Sequence, residues 1–427
     1  MRRRAFLAAA ATGIGVAATR RPVAAEQQRL ITAIEKQTLL RGRDGRGPTW
    51  FHPRACMVPA AAGPMAFMTL QPILGSDVFG PMHWMTSVDL GRTWTSPEPV
   101  PPLGRVPLAD GGEEGVCDVV PEWHPPTSSV LALGHNVFYK GPRFSKDQPP
   151  RWPVYAVWRD GGWGPRRRLE WNDPRGATIY TNGSGQRVTL PDGDILLALR
   201  FAASPDEPRR VASARCRFDG DELTIREVGD EIRHDVGRGL LEPSLVRFDG
   251  RLLMTLRAED DRGYVAASDD GLVWGPARAW AWDDGTPLDM SSTQQHWLDH
   301  SERLHLVYTR QDTSNAKVFR WRSPLWMAEV DPDSLRLRRA TERVVLPLVG
   351  DGVNHVDRVA IMGNFHVTHA SPDESWVTDG EWLHRAGGGG DLLLARIHWA
   401  RPNDLAPFAR QTRAAERNPG GGGAVDP

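Results

Sequence analysis

In the segment "LEPSLVRFDGRLLMTLRAED", Glu242 opens one apolar run and Arg257 closes the next, on either side of an Asp249-Gly250 turn. Two short strands joined by such a turn bring both charged ends to the same edge of a sheet. A half-buried guanidinium is costly without an anion, so the pair is either a structural ion pair or half of a site awaiting a charged ligand. Clustered guanidinium groups bind a carboxylate through paired, charge-assisted hydrogen bonds, and a carboxylic acid beside them can protonate a glycosidic oxygen. This is chemistry suited to an acidic oligo- or polysaccharide.

A second set permits a different reaction. His124 lies in "PEWHPP", His135 and Tyr139 in "LGHNVFYKG", and Tyr180, Gln186, Arg187 and Arg200 in "IYTNGSGQRVTLPDGDILLALR". A His, a Tyr and an Arg converging on a uronate can neutralise its carboxylate, remove the C5 proton and protonate the departing oxygen, which is β-elimination rather than hydrolysis. Each of these residues alone, like His296 in "STQQHWLDH", also reads as a strand-end group with satisfied hydrogen bonds. No spacing of ligands marks a metal, and Glu259, Asp260 and Asp261 in "AEDDRG" read as a solvated hairpin. No HExxH, GxSxG or GxxxxGK[ST] pattern follows the N-terminal segment, and no cofactor is expected.

The elements that must position these groups are short strands. Apolar runs such as "MAFMTLQ", "DILLALRF", "RLLMTLRA" and "RLHLVYTR" alternate with clusters of Gly, Pro, Asp and Asn, and long helical periodicity is missing. The unit "SVDLGRTW" returns as "SDDGLVW", and turn-ending residues Trp94, Trp163, Leu223, Trp274 and Leu335 follow one another at roughly 50–70 residues, a period suited to propeller blades. In a hairpin between outer strands, the Asp ties the turn, the Gly takes a positive φ and the Trp wedges between neighbouring sheets. The expected fold is an all-β propeller of six blades, with seven as the alternative.

With its Ser-x-Asp-x-Gly-x-Thr-Trp unit, the chain resembles the sialidase superfamily of Asp-box repeat proteins over nearly all of its mature length. The resemblance implies that Glu242 assists a tyrosine nucleophile, that Asp77 is the acid/base, and that Arg54 and Arg257 belong to an arginine triad. Arg310, Arg320 and Arg322 compete for the third place. In such enzymes a neutral phenol, rather than a carboxylate, attacks the carboxylate-bearing carbon. Here the last tyrosine is Tyr308, and the late region offers His355, His366 and His369. The His135, Tyr180 and Arg187 or Arg200 order is similar to that of propeller-fold polysaccharide lyases. A propeller that only binds a glycan is the third reading.

The 52 Lys and Arg residues against 53 Asp and Glu give a formal charge of −1, which speaks against nucleic acid as a main partner. "MRRRAFLAAAATGIGVAATRRPVAA" has basic residues, an apolar run too short to span a bilayer and a small-residue end; it reads as a twin-arginine export signal over residues 1–25. The propeller is expected over 26–409, and a disordered tail over 410–427. Cys56, Cys117 and Cys216 read as buried thiols, and the protein as a monomer with no membrane span.

Overall fold

The computed structural model describes residues 30–60, 63–145 and 148–406. The segments read as export signal and tail lie outside them. Among the described residues there are short strands and 3-10 turns but no α-helix, hence none long and apolar enough to cross a membrane. The strands form six antiparallel sheets.

In chain order, sheet 1 is built on Trp50–Val58, Met65–Gly75 and His83–Ser87, and sheet 2 on Glu113–His124, Ser129–Lys140 and Pro153–Arg159. Sheet 3 holds Ile179–Thr181, Ile195–Ala202, Arg210–Phe218 and Leu223–Val228. Sheet 4 holds Leu241–Phe248, Arg251–Arg257 and Gly263–Ser268, and sheet 5 holds His296–His300, Arg303–Tyr308 and Leu325–Asp331. Sheet 6 joins His366–Ser371, Glu374–Gly380 and Leu392–Trp399 to the early strand Ile31–Leu40, with Ile34 opposite Ile397. One sheet therefore ties both ends of the described chain together.

The core consists of layers between sheets. Leu131 and Leu133 of sheet 2 pack with Leu197 and Leu199 of sheet 3; Leu196 and Ala198 turn the other way to meet Leu245 and Met254 of sheet 4. Val246 and Leu253 continue to Trp297 and Leu306, Leu298 and Val307 to Val377 and Leu393, and Leu394 with Trp376 to Met57 and Ala66. Cys56 and Phe67 close the ring against Val130. Strand alternation explains this pattern: each sheet buries both faces, so successive residues serve opposite neighbours. The result is an all-β propeller.

The recurrent turn does what its residues predict. Ser87 Oγ donates to Asp89 at 2.8 Å, and Asp89 accepts from the Thr93 amide at 2.9 Å and its hydroxyl at 2.6 Å. Those bonds, the Thr93 hydroxyl first, hold the Asp89 carboxyl well below the usual range. Gly91 has φ 72°, and the Trp94 ring reaches Trp376 of the neighbouring sheet at 6.1 Å. In the second copy, Asp270 ties the turn and Trp274 Nε1 donates to Ser213 of sheet 3 at 2.8 Å. Cys56, Cys117 and Cys216 are free and buried.

Candidate active site

In each sheet the strand or segment nearest the axis runs in the same sense. Its early residues, such as His52, Asp118, Glu242 and Ser292, gather with the arginines; its later ones, such as Met57, Trp123, Arg247 and His369, line a cavity of about 820 Å³. The axis thus has two different ends.

At the arginine-rich mouth, three inner strands share one device. Trp50–Val58, Glu113–His124 and Leu241–Phe248 each slip register against their partners, between Phe51 and Arg54, Cys117 and Val120, and Leu241 and Ser244. At each slip a residue with a side chain adopts a left-handed backbone: His52 at φ 52°, Asp118 at φ 57° and Glu242 at φ 45°. A bulge breaks the alternation that would turn these groups into the inter-sheet core and re-aims them towards the axis. Strain of this kind concentrates at functional sites. Asp77, at φ 57°, is the exposed tip of the hairpin between Met65–Gly75 and Val78–Phe79.

Arg54 is fully buried and donates to Asp118 at 2.7 Å, while its Nε and Nη1 have no partner among the described residues. His52 Nδ1 and His135 Nε2 lie 3.8 and 3.9 Å from the same carboxylate. Burial would push the Asp118 carboxyl up, but the Arg54 guanidinium bonded to it outweighs this and holds the group below the usual range. Burial pushes the His52 imidazole down to about 3 and that of His135 well below its ordinary value, so both are neutral. Glu242 accepts from Arg257 Nη1, and Arg257 Nε donates to Ser292 at 3.1 Å. Burial opposes ionisation of Glu242; Arg257 and Arg200 overcome it and lower its pKa.

Arg320 and Arg322 complete this side. Arg320 donates to the Ser292 carbonyl. Burial, with repulsion from Arg322 and Arg257, lowers Arg320 to about 9; burial and Arg257 lower Arg322 to about 10. Asp77 exerts the opposite pull on Arg322, which sets its hairpin over the same mouth. Arg310, the other candidate for a third arginine, is held on the flank by Glu342 and Asp312 at 2.8 and 2.9 Å. Close packing keeps the rim in register: a Cβ on Gly185 would lie 1.8 Å from the Pro243 carbonyl oxygen, beside Glu242.

The residues of the elimination reading do not assemble. His135 joins the Asp118 cluster and Arg200 reaches the mouth, where its Nε donates to Thr181 Oγ1 at 2.8 Å. Tyr180 turns away. Its hydroxyl accepts from Arg168 at 2.9 Å and donates to the Leu169 carbonyl at 3.1 Å, between sheets 2 and 3. Arg187 is bound to the Val120 and Leu131 carbonyls and Glu122, and His124 to Thr127 and the Gly193 carbonyl. His296 bonds Ser244 at 3.0 Å, and His369 pairs with Asp299 at 2.8 Å.

Asp118 was missed by the sequence reading, although an acid inside the apolar run "EGVCDVVPEW" is the same kind of signal that drew attention to Glu242. Cys117, Asp118 and His135 also bring potential metal-ligand atoms within 4.8 Å of one another. Arg54 already bonds the carboxylate, Cys117 Sγ lies 3.4 Å from His135 Nε2, and burial pushes the Cys117 thiol up.

No family model and no curated protein matches the sequence. Solved structures do match the fold. A protein of unknown function from Dyadobacter fermentans is 14% identical with a TM-score of 0.59, over 86% of this chain and 100% of that one. Trypanosoma rangeli sialidase is 13% identical with a TM-score of 0.58, over 90% of this chain and 61% of its own. A Hadza microbial sialidase is 14% identical with a TM-score of 0.58, over 85% and 68%. This chain spans about three fifths of the Trypanosoma enzyme. At these identities the likeness is one of fold: the chain is a sialidase-like all-β propeller.

Proposed function

We propose that this chain is an exported, monomeric glycoside hydrolase, with a signal at 1–25, a six-bladed Asp-box propeller at 26–409 and a tail at 410–427. It cleaves a glycosidic bond at or next to a carboxylate-bearing sugar. The observation that carries this reading is the convergence of Arg54, Arg257, Arg320 and Arg322 with Asp77, Asp118 and Glu242 at one mouth, Asp118 and Glu242 aimed by strained bulges. The arginines hold the sugar carboxylate. Asp77 gives its proton to the leaving oxygen as the glycosidic bond breaks and the bonding pair stays with that oxygen.

The nucleophile differs from that of the tyrosine-dependent enzymes. All five tyrosine hydroxyls are engaged elsewhere: Tyr139 with the Phe79 amide, Tyr155 with the Leu223 amide, Tyr180 with Arg168, Tyr264 with Asp260 and Tyr308 with Glu342. Water takes that place in our reading: its oxygen bonds to the anomeric carbon and its proton passes to Glu242, kept ionised by Arg257 and Arg200. Incubation with sialylated and uronate-containing glycans, followed by proton NMR, tests this. Hydrolysis with inversion at the anomeric carbon supports it. Retention would remove the direct-water step, and new absorbance from an unsaturated uronate would replace hydrolysis by elimination.

A further inference from the structure

Holding one carboxylate takes two or three guanidinium groups, and this mouth has more. Neighbouring strands carry three further arginines to one end of sheet 3. Arg151 bridges to Ile179, with its amide on the Thr178 carbonyl and its own carbonyl accepting from the Tyr180 amide, both at 3.0 Å. Arg200 stands opposite Thr181 on the next strand. Arg209 precedes the strand after that, in which Arg210 faces Phe201.

Their partners are neutral. Arg151 Nε donates to the Asn136 carbonyl at 3.1 Å and Arg200 Nε to Thr181 Oγ1 at 2.8 Å. Among the described residues none of the three forms an ion pair, whereas their neighbour Arg238 is paired with Glu259 and Arg257 with Glu242. The three also repel one another: burial and then Arg151 lower Arg200 to about 10, and burial, Arg238 and Arg151 lower Arg209. Glu242, Asp118 and Glu259 offset part of this at longer range, but like charges held together with no carboxylate in direct contact destabilise the free protein, and an arriving anion relieves both the repulsion and the lost solvation.

We infer that the mouth holds two anion sites, and that Arg151, Arg200 and Arg209 form the second, which takes a carboxylate or sulfate on the sugar next to the one bound by Arg257 and Arg322. This rests on the acidic-glycan reading and sharpens it to a substrate with two anionic groups. Each site is an opening for bidentate recognition, so a glycan bearing one charge fills only half of the mouth.

Titration of the full protein with sodium sulfate in low-chloride buffer provides the test. Two sulfates should bind per chain. Arg200→Gln should weaken one of them at least tenfold and leave the other unchanged, and Arg322→Gln should do the converse. Arg209→Gln, at a half-buried position, is the second variant should Arg200→Gln fold poorly. A single sulfate on the wild-type chain, or equal weakening of both by either variant, overturns the proposal. Sulfated and uronate disaccharides then distinguish the two sources of the second charge. Two sulfates bound without cleavage of any acidic glycan would sink the hydrolase reading alone; cleavage with one sulfate bound would sink the second site alone.

Discussion

The two ends of the propeller axis are built from the same inner strands yet treat charge in opposite ways. At the far end, around the cavity of about 820 Å³, the buried Arg187 is paired with Glu122 at 3.1 Å, His369 bonds Asp299 at 2.8 Å, and Arg247 is exposed. There the strand Leu241–Phe248 keeps ordinary alternation through Leu245, Val246 and Arg247, opposite Met254, Leu253 and Leu252. At the near end the alternation breaks three times, His52, Asp77, Asp118, Glu242 and Arg320 sit at positive φ and several arginines lack a directly bonded carboxylate. A roomy cavity is therefore not the mark of the site. Strain and unbalanced charge, which cost stability and persist only where the fold over-determines them, mark it better.

The largest expected contrast is catalytic. Glu242→Gln should lower kcat by roughly 10²–10⁴-fold, the span of a lost acid or base, while Glu122→Gln at the far end leaves kcat within about twofold. Steady-state kinetics on an acidic glycan would show it, and equal losses would erase the distinction between the ends. Gly185→Ala comes next. Its methyl group must displace the Pro243 carbonyl, so denaturant unfolding should show a loss of about 3 kcal/mol together with a damaged site.

The third effect is a pH dependence of stability. Burial keeps His52 and His296 at about 3 and His305 at about 4, with His135 and His366 also well below their ordinary value. Their folded pKa values are depressed, so stability is complete above the unfolded value of about 6.5 and declines as pH falls towards the folded values, because only the unfolded chain takes up the protons. Thermal unfolding should show Tm flat above pH 7 and falling steeply between pH 6 and 4; His52→Gln should flatten that slope. The smallest effect belongs to the far end again. Glu122→Gln should cost about 1 kcal/mol, since Arg187 keeps the Val120 and Leu131 carbonyls and burial already disfavours the Glu122 charge.

These contrasts also show which features could be read from the chain. Glu242 and Arg257 were legible because each ends an apolar run beside an Asp-Gly turn, and turn chemistry fixes which strand ends meet. The wedging of Trp94 and Trp274 followed from the same kind of local rule. Tyr180 illustrates the limit: in the three-residue strand Ile179–Thr181, Thr181 faces Arg200 and Tyr180 faces Arg168, and a one-residue change of phase reverses the two. Asp118 was hidden because a bulge, not the period of the sequence, turns it to the axis. The pairing of Arg310 with Glu342 is a long-range matter that its own segment does not encode.

The central claim is that an anionic sugar lodges where the bulged strands and unpaired arginines meet. A crystal structure with an acidic monosaccharide bound tests it most directly. The account predicts the carboxylate within hydrogen-bond distance of Arg257 and of Arg54 or Arg322, with Asp77 above the ring. A sugar seated instead in the far cavity, beside Arg187 and His369, would contradict it.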